Sequence, residues 1–304
     1  MDNNYHIPVL LNEVIQHLEI KPGGIYVDCT FGGGGHSKAI LRGLNSNGRL
    51  VVFDRDEDAI KNLPADERIL FIPQNFRHLH RFLRLHKIGL VDGILADLGV
   101  SSHQFDLADR GFSTRYDAAL DMRMDQRELK TAASVLESFT EIQLHKLLEE
   151  YGEVTNAKTL ARIIVAQRAL SPVRTISEFK QAVHTVVKGN PSKYFAQVFQ
   201  ALRIEVNDEL GALKELLQQS LQVLKPGGRL AIITFHSLED RIVKGFLRNG
   251  TFEKVLADEV YGRKTGTPFN IITKKPIITT QEEIKLNPRS RSAKLRVAEK
   301  KLEL

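Results

Sequence analysis

Ile25-Tyr26-Val27-Asp28-Cys29-Thr30-Phe31-Gly32-Gly33-Gly34-Gly35-His36-Ser37 is the stretch on which the fold turns. A β-rich run passes through four glycines into a segment of helical character. Glycines at such a junction let the backbone approach a ligand and take positive φ, and the start of the next helix offers it unpaired N–H groups. Outward from this turn, residues 49–54, 68–72 and 91–97 share the Val/Ile/Leu/Phe enrichment of residues 25–29, with helix-length segments between them. That rhythm predicts a parallel α/β sheet with right-handed crossovers. It stops after Asp97, and residues 107–205 read as helices without strands. Thr140 is placed to cap a helix over 141–151 that Gly152 ends, Asn156 to cap the next through Leu170, and Ser177 to begin a third that stops at Gly189. Lys225-Pro226-Gly227-Gly228 then turns into a strand at 229–235, and the α/β pattern resumes. The prediction is a doubly wound α/β domain, discontinuous over 1–106 and 206–304, with an all-helical insertion domain at 107–205.

Bulk properties bound the function. With 304 residues, 42% hydrophobic and 26% charged, the chain can bury a core without staples. A single cysteine, Cys29, excludes an internal disulfide and a multi-cysteine zinc site, so no metal is expected and a reducing, cytoplasmic setting is. Apolar stretches such as 230–235 are too short for a bilayer. A net charge of +6 favours a polyanionic partner, because lysines and arginines displace counterions from phosphates. The bias is local: seven basic residues (Lys285, Arg289, Arg291, Lys294, Arg296, Lys300, Lys301) face one acid, Glu299, near the C-terminus. A solvated edge strand with a charged tail is the plain alternative for that run.

Asp54, twenty residues after Gly34, closes the second predicted strand, where its carboxylate can accept both hydrogen bonds of an adenosine ribose. Glycine run plus spaced acid points to a nucleoside-containing cofactor. Gly32-x-Gly34-x-x-Ser37 nearly meets the dinucleotide fingerprint, with serine where glycine or alanine is usual. Asp28-x-x-x-Gly32-x-Gly34 resembles motif I of methyltransferases, although Thr30 stands where that motif often has glycine. Asp97-Leu98-Gly99-Val100-Ser101-Ser102, at the end of the fourth strand, tilts the balance to S-adenosylmethionine. The loop does not read as Walker A.

Longer strings specify a family. Gly32 to Ser37, Phe53-Asp54-Arg55-Asp56, Asp97 to Ser102, Arg110-Gly111-Phe112-Ser113, Leu120-Asp121-Met122-Arg123-Met124-Asp125, Phe199-Gln200-Ala201-Leu202-Arg203-Ile204, Phe235-His236-Ser237-Leu238-Glu239-Asp240-Arg241 and Asn287-Pro288-Arg289-Ser290-Arg291-Ser292 resemble, in order, the signature segments of the bacterial 16S rRNA cytosine-N4 methyltransferases. The resemblance runs from about His6 to Glu299 and implies a Rossmann-like methyltransferase sheet with a helical insertion. It places cofactor contacts on Gly34, Gly35, His36, Asp54, Phe76, Asp97 and Gln104. The plain readings are a core aromatic for Phe76, a helix-start residue for His36 and a loop amide for Gln104. One departure is Phe195-Ala196-Gln197-Val198, where many members carry Arg-Thr before the phenylalanine matching Phe199, which leaves any role of that arginine open here.

The implied reaction is methylation of the exocyclic N4 of a cytosine in the 16S rRNA of the small ribosomal subunit. That amine is a poor nucleophile, so the protein must align it and accept its hydrogens. Ser101 and Ser102 are the first candidates for this, and His236 the next. The plain reading of the 235–241 turn is a helix capped by Ser237 with Asp240 paired to Arg241. Phe112 and the run Arg289, Arg291, Lys294 and Arg296 are the expected RNA contacts, with the insertion shaping the groove. Self-association is left open. The alternatives are a methyltransferase acting on a protein or small molecule, and a catalytically silent RNA-binding assembly factor; a steep loss of RNA binding with salt separates nucleic-acid from small acceptors.

Overall fold

In the computed structural model, which describes residues 8–252 and 267–302, the chain forms two compact units, one comprising the residues up to Gly99 and from Gly211 onward, the other Val100–Leu210. The first unit opens with α1 (Leu11–Leu18), β1 (Ile25–Asp28), α2 (Gly35–Gly43), β2 (Arg49–Phe53), β3 (Ile69–Ile72), α3 (Leu79–Leu85) and β4 (Val91–Asp97). The second holds α4 (Ser102–Asp106), α5 (Ala132–Ser138), α6 (Glu141–Glu150), α7 (Ala157–Leu170), α8 (Ile176–Val183) and α9 (Pro191–Asn207). After α10 (Glu209–Val223) the first unit closes with β5 (Leu224–Thr234), α11 (Ser237–Asn249), β6 (Phe269–Ile271), β7 (Ile277–Ile278), α12 (Gln281–Leu286) and β8 (Lys294–Lys300).

The sheet runs in the order β3-β2-β1-β4-β5-β8-β6, with β7 also on β8. β1 to β5 are parallel, and β8 is antiparallel to β5, β6 and β7. Alternate side chains serve two cores. Val27, Val51, Phe53, Ile94, Ala96 and Ile232 pack with Leu79 and Leu83 of α3, Leu213 and Leu216 of α10, and Val243 and Phe246 of α11. Tyr26, Leu50, Val52, Leu95, Ala231 and Ile233 pack with Val14 and Leu18 of α1 and Ile40 of α2. Burial on both faces explains why these strands read as continuous apolar runs.

Two strand expectations change. Lys225-Pro226-Gly227-Gly228 does not precede β5 but bulges within it: Leu224 pairs Val91 and Arg229 pairs Gly93. The C-terminal basic run is no edge strand, because β8 lies between β5 and the β6/β7 pair and buries Leu295, Val297 and Ala298.

The helical unit has its own core, centred on Phe179 of α8 with Phe195 and Phe199 of α9 edge-on to it. Thr140 caps α6 in a reciprocal box with Gln143. Asn156 precedes α7, but its amide donates to the Val186 carbonyl and accepts from the Tyr194 hydroxyl instead of capping. Thr175, not Ser177, caps α8, since Glu178 reaches back to its N–H; α8 ends at Val183 in a short 3₁₀ turn before Gly189. The unit is wider than residues 107–205. Val100 and Phe105 pack on its core, and Arg203 holds Glu209 at 2.8 Å beyond the end of α9.

Candidate active site

Strand order reverses between β1 and β4, and the carboxyl ends of these strands form the crevice where doubly wound sheets receive ligands. Asp28 ends β1 buried, accepting from the Ser37 hydroxyl at 2.6 Å and the Thr30 N–H at 3.0 Å. The Thr30 hydroxyl accepts from the Asp97 N–H at 2.7 Å, tying the loop after β1 to the end of β4. Gly34 has φ +72°, and a Cβ there would sit 2.9 Å from the Phe31 ring; one on Gly35 would lie 2.2 Å from Pro8 Cγ. Close packing of the chain on itself therefore demands both glycines.

Asp54 follows β2. Its Oδ2 accepts from the Gly32 N–H at 2.7 Å and its Oδ1 from the Asp56 N–H at 2.8 Å. Burial pushes its pKa up to about 6, against the pull of these two amides. Each carboxylate oxygen keeps a further lone pair, so a ribose diol can be accepted without breaking either bond.

His36, in the first turn of α2, is buried, and its Nε2 lies 3.0 Å from the Val9 carbonyl. A carbonyl only accepts, so Nε2 carries the proton. Burial lowers the pKa of the ring, which leaves Nδ1 an acceptor 3.8 Å from Asp97 Oδ2. Asp97 therefore faces a lone pair where a cation would be expected. Its Oδ1 is buried with no hydrogen-bond partner, and burial, Asp28 and Glu239 together push its pKa up to about 8. Phe76 begins a 3₁₀ turn capped by Asn75 and is half-buried against the core on the α3 face.

The turn after β5 differs from its plain reading. His236, not Ser237, caps α11, its Nδ1 accepting from the Glu239 N–H at 3.4 Å. Buried Glu239 accepts from the Phe235 N–H at 2.8 Å. His236 Nε2 lies 3.2 Å from Glu239 Oε1 but off line for a hydrogen bond. Asp240 pairs with Arg296 at 2.6 Å and Lys294 at 3.7 Å in place of Arg241. Cys29 is buried beside Asp28 and its thiol is held well above the usual range by burial, which removes it as a nucleophile.

Ser101, Ser102 and Gln104 belong to the helical unit. Ser101 and Gln104 form a reciprocal turn, the Ser101 hydroxyl accepting from the Gln104 N–H and the Gln104 amide oxygen from the Ser101 N–H, each at 3.2 Å. Ser102 begins α4, and its side chain lies outside the described residues. Two RNA expectations must be corrected. Phe112 is buried in the helical core with the Arg110 guanidinium 6.0 Å from its ring, so it presents no face to a base. Arg296 is buried on β8 and its charge is met by Asp240. Arg291 is exposed, and Arg289 and Lys294 are half-buried. Gln197, at the departure from the family pattern, donates to the Glu153 carbonyl at 3.2 Å.

Sequence reasoning missed Asp28 and Glu239 as members of the charge cluster. For Glu239 the signal was present, an acid three residues after His236 in capping-box position; for Asp28 it was an acid ending an otherwise apolar strand.

Residues 3–301 match the MraW methylase family. A protein of Parabacteroides distasonis described as ribosomal RNA small subunit methyltransferase H is 51% identical over 98% of this chain and 98% of its own length. One of Flavobacterium johnsoniae with the same description is 54% identical over 97% and 98%.

Proposed function

Because the chain belongs to the MraW methylase family, we propose that it transfers a methyl group from S-adenosylmethionine to the exocyclic N4 of a cytosine in 16S rRNA of the small ribosomal subunit. Within the fold, the observation that carries this reading is the buried, unpaired Asp97 Oδ1 beside a glycine loop whose tip is held by Asp54. These groups fit the cofactor. Asp54 accepts the ribose hydroxyls, the loop of Gly34 and Gly35 lets the chain pass close, Phe76 flanks the adenine, and Asp97 offers its free oxygen to the charged end.

The bound cofactor supplies an electrophilic methyl on a sulfonium. The chain supplies alignment and hydrogen-bond acceptors. The Ser101 and Ser102 hydroxyls, which follow Asp97 by four and five residues, are the candidate acceptors of the amine hydrogens. His236, the next candidate, accepts the Glu239 N–H at Nδ1 and so carries its proton on a buried Nε2, which makes it a donor rather than an acceptor toward the amine. A carbon-5 pyrimidine methylation would need an accessible thiolate, and Cys29, the one cysteine, is buried with a raised pKa. Amine methylation therefore fits this site better than carbon-5 methylation. Among the described residues no helix is long and apolar enough to cross a membrane, in keeping with a cytoplasmic enzyme. The helical unit serves the RNA more than the cofactor.

The test uses purified small subunits and methyl-labelled S-adenosylmethionine. Label should appear in N4-methylcytidine at one position. Label in 5-methylcytidine, on ribose or on ribosomal protein overturns the assignment.

A further inference from the structure

The carboxyl edge of the sheet carries a second hollow beyond the crevice at Asp97. The end of β5, the end of β7 and the start of β8 lie side by side, since Thr234 and Ile278 both pair with Lys294. Above them is a cavity of about 370 Å3, walled by Phe235, Ile278 and Ile284 and rimmed by Arg291 and Lys294, with His236 on its inner side. Ile278 is 64% exposed and gives the cavity an open apolar wall. The His236 side chain is more than nine-tenths buried, with its Nε2 turned to Glu239 at 3.2 Å. Asp240 is engaged mainly by Arg296 at 2.6 Å and reaches Lys294 only at 3.7 Å, so Lys294 and the exposed Arg291 leave positive charge at the rim.

An aromatic face, apolar walls and a cationic rim are elements that hold a nucleotide: a stacking surface and a phosphate contact. The volume is in the range of small-ligand sites. We propose that this cavity binds the nucleotide adjacent to the target cytosine in the RNA, with its base between Phe235 and the two isoleucines and its phosphate at Arg291 and Lys294. The inference rests on the RNA-methyltransferase reading above and adds a subsite to it. Spacing selects the neighbouring nucleotide over the target itself. β8 is two strands from β4, about 10 Å at roughly 4.8 Å per strand, too far for a base in the cavity to present its amine at Asp97 but within one splayed-out nucleotide step of a base that does.

Gln281 is exposed on the lining of the cavity, and replacing it by p-benzoylphenylalanine places a photo-crosslinker there. Irradiated with small ribosomal subunits and S-adenosylmethionine, this variant should crosslink to rRNA immediately beside the methylated cytosine. A crosslink to ribosomal protein, or to RNA remote from that cytosine, overturns the subsite while the enzyme's function stands. In parallel, Ser292→Trp fills the cavity from an exposed position. It should raise KM for subunits about tenfold, the scale of one lost base-stacking contact, with kcat and S-adenosylmethionine affinity within twofold of the parent. An unchanged KM also overturns the proposal. Absence of any methylated cytosine with the parent enzyme overturns the functional reading itself, and the subsite with it.

Discussion

Asp92 and Asp97 sit near opposite ends of β4, five residues apart, and the protein surrounds them in opposite ways. Asp92 has Lys225 at 2.6 Å and Lys21 at 3.4 Å and accepts from the Ile25 N–H at 3.0 Å, and these contacts hold its carboxyl below the usual range despite its burial. Asp97 has a neutral imidazole at 3.8 Å, two further carboxylates in its field and an oxygen with no partner, and it is pushed up to about 8. At the amino edge of the sheet a buried acid is neutralised by the fold. At the carboxyl edge it is left for something the fold does not contain. Asp240, matched by Arg296, follows the first pattern; Asp54, raised to about 6 and held only by backbone amides, follows the second. A largely desolvated carboxylate without a cation costs stability, and its persistence marks a site that a ligand completes, by charge at Asp97 and by hydroxyl donors at Asp54.

The sharpest way to break this contrast is Asp97→Asn. Methyl transfer should fall about 100-fold or more, as for loss of a positioned polar group in a catalytic site. The same change should stabilise the free protein. A carboxylate whose folded pKa exceeds its unfolded value loses stability as pH rises between the two, here from about 4 to about 8. Melting scans of Asp97→Asn should therefore show a gain at pH 8.5 that vanishes at pH 4.5. A loss of stability at both values would make Asp97 a structural acid like Asp92.

Proton linkage gives the next effect. A cationic cofactor favours ionised Asp97, so S-adenosylmethionine affinity should rise with pH up to about 8, by close to tenfold per unit well below it. Calorimetry in buffers of different ionisation enthalpy should detect the released proton, and the Asn variant should release none. Equal heats for both proteins would remove Asp97 from the cofactor site.

Asp54→Ala should weaken S-adenosylmethionine by about 2 kcal/mol, the scale of charge-assisted hydrogen bonds to a ribose, measured by the same calorimetry. Asp92→Asn should do the reverse of Asp97→Asn. About 1–2 kcal/mol of stability should be lost at pH 7, with turnover per folded molecule unchanged. For Asp92, lowered in the fold, the lost contribution is one present above the unfolded pKa and absent in acid, so parent and variant should converge below pH 3. The smallest effect is at Arg291. Arg291→Ala should reduce the salt slope of RNA binding by about 1, whereas Arg296→Ala should leave that slope unchanged and cost stability.

Much of this molecule was determined locally. The β1 turn, the strand sequence through β4 and the capped helix α6 follow from glycine conformation, from apolar runs and from a threonine three residues before a glutamine, all readable along the chain. Asp54 and Asp97 were legible because each ends an apolar strand, and parallel strands deliver their ends to one edge. What tertiary structure alone decided is which charges are answered. Arg296 and Arg291 look alike in a basic run, yet β8 turns Arg296 toward Asp240 on α11, 56 residues away in the chain, and leaves Arg291 in solvent. Phe112 looks like a wall for a base, yet it fills the helical core. Asp92 and Asp97 share one strand, yet only one of them meets lysines, which come from Lys21 and Lys225. Local pattern follows from steric and hydrophobic preferences that act within a few residues; charge pairing depends on distances between groups far apart in the chain, and these exist only once the sheet has assembled.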